Sequence, residues 1–148
     1  MNIFILDEDP VIAARMLCDR HIPKMIVESA QMLSTAHRLL DGSPTKRRSR
    51  SGKTIQTYYE FKDMRDELYY TAVHKHHPCT TWTMASIENY NWHYGHFAEM
   101  SKEFTFRRQK THATWEKIGL ILAAPPINIP KIKRTEFAQA MSHYPECK

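Results

Sequence analysis

Glu28 lies two helical turns after His21, and these two residues are the starting point for a chemical reading of the chain. At about 3.6 residues per turn, His21, Lys24, Glu28, Gln31, Thr35 and Arg38 share one helix face. Met25, Ile26, Met32, Leu33 and Ala36 turn the other way, toward a core. A carboxylate, an imidazole and a cation along one stripe can shuttle protons or stabilise a developing positive charge. The same stripe also suits a solvated face on which Glu28 pairs with Lys24 four residues before it.

Histidines offer a second chemistry. His74, His76 and His77 cluster in sequence, and His93 and His96 are three apart on a predicted helix. A hydrolytic metal site needs carboxylates interleaved with such histidines, but only Glu88 and Glu99 lie near and no HExxH motif occurs, so no metal ligand is assigned. His77-Pro78 reads as a helix start. Cys18, Cys79 and Cys147 form no CxxC pair, which points to a reduced, intracellular and cytoplasmic chain, and Cys18 reads as a small buried hydrophobe. Tyr90, Trp92, Tyr94, Phe97, Phe104 and Phe106, with Trp82 and Trp115, read as core; a stacking surface for an extruded base is the alternative.

The elements that must position these groups are helical. Asp9-Pro10 starts a helix over 10–20, and Pro23 opens a second that Asp41-Gly42 ends. Spacing predicts further helices over 59–73, a short turn over 80–85, a long helix capped by Ser86 and running through Phe104, one over 111–122, and one over 135–142. With 148 residues and 42% hydrophobic content, the chain suits one core and not two. The expectation is an all-α, single-domain bundle of about five helices spanning 1–148. The longest apolar run, 118–124, is too short to cross a membrane.

Charge is local. The formal net charge is +5, and the segment 42–53 alone holds Lys46, Arg47, Arg48, Arg50 and Lys53 with no acid. Its Gly, Ser and Pro content predicts a flexible basic loop suited to phosphates. Arg107, Arg108 and Lys110 form a second cluster, and Lys131, Lys133 and Arg134 a third. Ordinary surface charge is the alternative for each.

The strand-like opening, then Leu17-Cys18-Asp19-Arg20-His21, then Glu28 seven residues on, resembles the pyrimidine-dimer DNA glycosylase family, the endonuclease V type known from phages. The resemblance covers about the first 40 residues, from Met1 to Leu40. It implies a compact, virus-encoded all-α enzyme that extrudes nucleotides from duplex DNA. An N-terminal amine attacks the sugar C1′ and the abasic strand is then cleaved through a Schiff base. On this resemblance Glu28 is the catalytic acid, His21 packs near it, and Met1 or Asn2 supplies the amine.

The sequence departs from the family pattern at three places. The family's amine belongs to a small second residue, whereas Asn2 disfavours removal of Met1. Arginines beside the family's acid are replaced here by Val27 and Gln31, which leaves Lys24 and Gln31 as the candidate phosphate ligands flanking Glu28. Asp7-Glu8-Asp9 puts negative charge near the expected DNA face unless it caps the first helix.

The leading expectation is a DNA N-glycosylase with abasic-site lyase activity, needing no cofactor and acting on duplex DNA. The alternatives are a non-catalytic protein that binds nucleic acid or a small phosphorylated nucleotide, and a metal-dependent hydrolase using the histidine clusters.

Overall fold

The computed structural model describes residues 1–140. Helix α1, Pro10–Met16, is capped by the Asp9 side chain accepting from the Val11 N–H at 2.8 Å. It stops at Met16, short of the expected residue 20, because Leu17 is extended. Helix α2, Ile22–Asp41, starts with Pro23 in its first turn and ends at Gly42, whose N–H bonds to the Arg38 carbonyl. A Cβ at Gly42 would lie 2.5 Å from that carbonyl oxygen, so the close turn out of α2 needs glycine.

After Gly42 the all-α expectation fails. The supposed flexible loop 42–53 is strand β1, Ser43–Arg48, and its turn, paired antiparallel with β2, Ile55–Glu60. The register runs from Ser43 opposite Glu60 to Arg48 opposite Ile55. β-branched and aromatic residues, Thr45, Ile55, Thr57, Tyr58 and Tyr59, favour this pleated form, and Gly52 takes the left-handed turn position with φ 71°. The molecule is mostly helical with one two-stranded sheet among the described residues.

The helix expected over 59–73 shrinks to the single turn α3, Arg65–Leu68. Arg38 supplies the reason. Its guanidinium donates to the carbonyls of Tyr59, Asp66, Tyr69 and Tyr70 and to the Asp66 carboxylate, at 2.6–2.9 Å. Acceptors that a continuous helix would use internally are thereby committed to α2.

Helix α4, Pro78–Ala85, is capped by His77, and α5, Ile87–Arg108, by Ser86 accepting from the Asn89 N–H at 3.0 Å. α5 packs along both α1 and α2. The helix expected over 111–122 is irregular: a π-helical turn, Trp115–Gly119, then a 3₁₀ turn, Ile121–Ala123. Gly119 lies so close to the Trp115 ring that a Cβ would sit 2.5 Å from it, which couples the turn to packing of the indole. Residues 135–140 form no helix, and 141–142 of that expected helix lie outside the described residues.

Two apolar clusters fill the interior. The larger joins α2 and α5 through Ile26, Leu33, Tyr90, Phe97 and Met100; the smaller gathers Ile3, Ala13, Met32, Cys79, Trp82 and Trp92. Phe104 is buried, Tyr94 and Trp115 are half-buried and Phe106 is exposed. Cys18, expected inside, is exposed, because the chain leaves α1 in extended form just before it. No helix among the described residues is long and apolar enough to cross a membrane.

Candidate functional site

The first five residues fold into a turn that their own side chains fix. Asn2 Oδ1 accepts the N–H groups of Ile3 at 2.7 Å and Phe4 at 3.2 Å, and Phe4 takes a left-handed φ of 53°. Asparagine is suited to such a turn because its short side chain reaches backbone two residues on. The Cys79 thiol donates to the same oxygen at 3.6 Å, which ties the turn to the start of α4. Further along, the Trp92 indole N–H holds the Glu8 carbonyl at 2.7 Å.

This anchoring delivers the chain start to Glu28. The Asn2 backbone N–H donates to Glu28 Oε2 at 3.1 Å, and the Met1 ammonium lies 3.7 Å from the same oxygen. Lys24 Nζ stands 3.6 Å from Oε1. The Met1 side chain is only 6% exposed, packed against the smaller apolar cluster, and Glu28 is 13% exposed. A carboxylate so placed can accept a proton from the amine and balance positive charge developing beside it.

The resemblance puts His21 beside Glu28; the structure puts it elsewhere. His21 is exposed and stacks on Phe4, with centroids 5.2 Å apart and planes 6° from parallel, and no hydrogen bond joins it to Glu28. His77 is the imidazole that senses the pair. Burial lowers its pKa first, and the N-terminal charge and His74 add to this while Glu28 opposes them. Its Nδ1 accepts the Cys79 N–H at 3.2 Å, leaving Nε2 as the protonated nitrogen of the neutral ring. His77-Pro78 also starts a helix, as its sequence predicts: His77 caps α4.

The C-terminal half of the α2 face meets a different segment. Thr35 Oγ1 donates to the Gln31 carbonyl and accepts the Val73 N–H at 3.1 Å, laying residues 69–77 along the helix. Gln31 lines a shallow cavity with Arg38, Tyr58, Asp66, Tyr70 and Lys117. Burial pushes the Asp66 carboxyl up, but hydrogen bonds from Arg38 and the Phe61 N–H and the nearby guanidinium charges outweigh it, so its pKa is lowered.

On the hairpin, the predicted cations divide. Arg47 pairs with Glu60 and lies 4.0 Å from the Tyr58 ring centroid. Lys46 donates to Thr57 Oγ1 at 2.9 Å. Among the described residues the Arg48 side chain donates one hydrogen bond, to the Gly52 carbonyl at 3.3 Å, and the side chains of Arg50 and Lys53 make no hydrogen bond or ion pair.

Arg107 is not available to a phosphate. Its donors go to Asp19, Glu103 and the carbonyls of Arg15 and Leu17, clamping the end of α5 to the α1–α2 connection. Arg108 and Lys110 are exposed.

The histidine pair on α5 is interior. His93 and His96 are buried, and burial lowers their pKa values to about 3 and about 4. Among the described residues, no three His, Cys, Asp or Glu side chains converge as a metal ion requires. Comparison with known proteins finds no matching family model, no matching curated protein and no matching solved structure.

Proposed function

We propose that the chain is a DNA-directed N-glycosylase with abasic-site lyase activity. The observation that carries this reading is an N-terminal amine held within ion-pair distance of a largely buried glutamate. The resemblance of the first 40 or so residues supports it independently of that distance.

In its unprotonated form the amine attacks C1′ of the target nucleoside. An N–C1′ bond forms as the bond from C1′ to the base breaks, and the base leaves with the electron pair and takes up a proton. The nitrogen lone pair then expels O4′: the C1′–O4′ bond breaks, O4′ keeps the electron pair and takes up a proton from the Glu28 carboxyl, and an iminium forms between the amine and C1′. Removal of a C2′ proton then expels the 3′ phosphate by β-elimination, and water hydrolyses the iminium. Glu28 accepts the ammonium proton and balances positive charge on the sugar.

Met1 supplies the amine if it is retained. If it is removed, the Asn2 nitrogen, 3.1 Å from Glu28 Oε2, takes its place. Either way the carboxylate faces an amine.

The test combines the intact mass of the purified protein with borohydride reduction in the presence of abasic-site duplex. The reading requires a covalent adduct on the N-terminal residue, and Glu28→Gln must suppress strand cleavage while leaving duplex binding in place. Binding without any adduct would move the assignment to a non-catalytic nucleic-acid-binding protein, the reading that the hairpin cations alone support.

A further inference from the structure

We infer that the hairpin carries a phosphodiester-binding subsite that grips one DNA strand several nucleotides from the reacting sugar. This rests on the reading of the chain as acting on DNA.

The subsite is a notch of about 390 Å³ between the hairpin and residues 71–72, with Arg47, Arg48, Ser49, Arg50, Thr57 and Thr71 among its walls. Arg47 is matched by Glu60, so the uncompensated positive charge belongs to Arg48 and Arg50. Guanidinium groups with hydroxyls beside them fit phosphate oxygens. Tyr58 is the aromatic residue in the wall, and its ring already carries the guanidinium groups of Arg47 at 4.0 Å and Arg38 at 4.9 Å. A nucleobase would have to displace one of them to stack there. The notch therefore reads backbone and not base, which favours a polymer over a mononucleotide.

Its distance from Glu28 is set by α2. Ten residues separate Glu28 from Arg38, a rise of about 15 Å. Arg38 fixes the base of the hairpin at that level by donating to the Tyr59 carbonyl, opposite Pro44, and fixes the opposite wall through the Tyr70 carbonyl; Arg48 lies four residues further along β1, toward the hairpin tip. Along the same face, the Thr35 bond to Val73 holds the segment that runs back to His77. The grip and the reacting amine are thus two points on one rigid ruler.

Fluorescence anisotropy on the full chain tests this, using a duplex with a stable abasic analogue at its centre and two others with the analogue two nucleotides from either end. The Arg48→Ala/Arg50→Ala double variant changes only exposed side chains, and its melting curve checks that it folds. On the central duplex it should bind about tenfold or more weakly, with the slope of log affinity against log salt reduced by about 2. One end-placed duplex should bind the natural protein as weakly as the double variant binds the central one, and the double variant should weaken that duplex no further.

Equal affinity of the natural protein and the double variant for the central duplex overturns the subsite, as does indifference to flank length at both ends. Displacement of the duplex by micromolar dATP in the natural protein alone would also overturn it, in favour of a mononucleotide site. Borohydride trapping separates the two readings. An adduct with no hairpin effect sinks the subsite and spares the enzyme; a hairpin-dependent salt slope on undamaged duplex without any adduct does the reverse.

Discussion

In the helical body, three charged side chains are tied down. Arg38 is 1% exposed with its donors committed to four carbonyls and a carboxylate, Glu28 faces two cations, and Arg107 reaches four partners. In the hairpin, Lys46 reaches only across to the neighbouring strand, Arg47 adds to its cross-strand pair only a 4.0 Å approach to Asp66, and Arg50 and Lys53 extend into solvent. The same residue type therefore holds a geometry in one region and presents charge to the outside in the other. What separates the two states is burial together with partners distant in sequence, neither of which a count of arginines reveals.

The largest effect expected on either side of this contrast is on chemistry. Glu28→Gln should lower single-turnover strand cleavage by about 10²–10⁴-fold, with duplex binding retained. A variant that still cleaves at the natural rate would place the carboxylate among merely structural groups.

Removing the buried arginine comes next. Arg38→Ala leaves four carbonyls without their donor and removes the closest cation from the Asp66 carboxylate, and should cost about 3–5 kcal/mol in urea unfolding. A loss no larger than that from an exposed arginine would erase the distinction between the regions.

The pH dependence of stability sharpens it further. His37, His93 and His96 are all in the helical body, with pKa values lowered by burial to about 4, about 3 and about 4. Unfolding restores an ordinary value near 6.5, so below that pH the unfolded chain binds more protons and the folded state loses ground. Stability should be flat above about pH 7 and fall from about pH 6.5 toward 4, by up to ~1.4 kcal/mol per pH unit for each histidine. Melting curves across this range check the sign, and a Tm that rose on acidification would refute it.

The smallest effect belongs to the hairpin. Arg47→Ala should leave the melting temperature nearly unchanged, because an exposed ion pair contributes little. A large drop would mean that the hairpin is part of the core.

Local signals in the sequence marked the starts of α1 and α5 and the end of α2, because Asp9, Ser86 and Gly42 act on atoms within a few residues. The hairpin escaped notice because β1, Ser43–Arg48, contains no large apolar side chain and so shows no inward face. Residues 59–73 have aromatic spacing that fits a helix, and what straightens them is Arg38, 21 to 32 residues away. Glu28 was legible from its spacing to His21. Its true neighbours were only half so: the resemblance pointed to the N-terminal amine, but nothing local announces that the start of α4, capped by His77, brings the Cys79 thiol onto Asn2.

The span between Asn2 and Cys79 also has a consequence during synthesis. Cys79, Trp82 and Trp92, half of the buried cluster on which the Met1 side chain packs, are translated 77 or more residues after Asn2. The last partners of the turn arrive only with α4 and α5, so the amine and Glu28 take up their final geometry after most of the chain has been made.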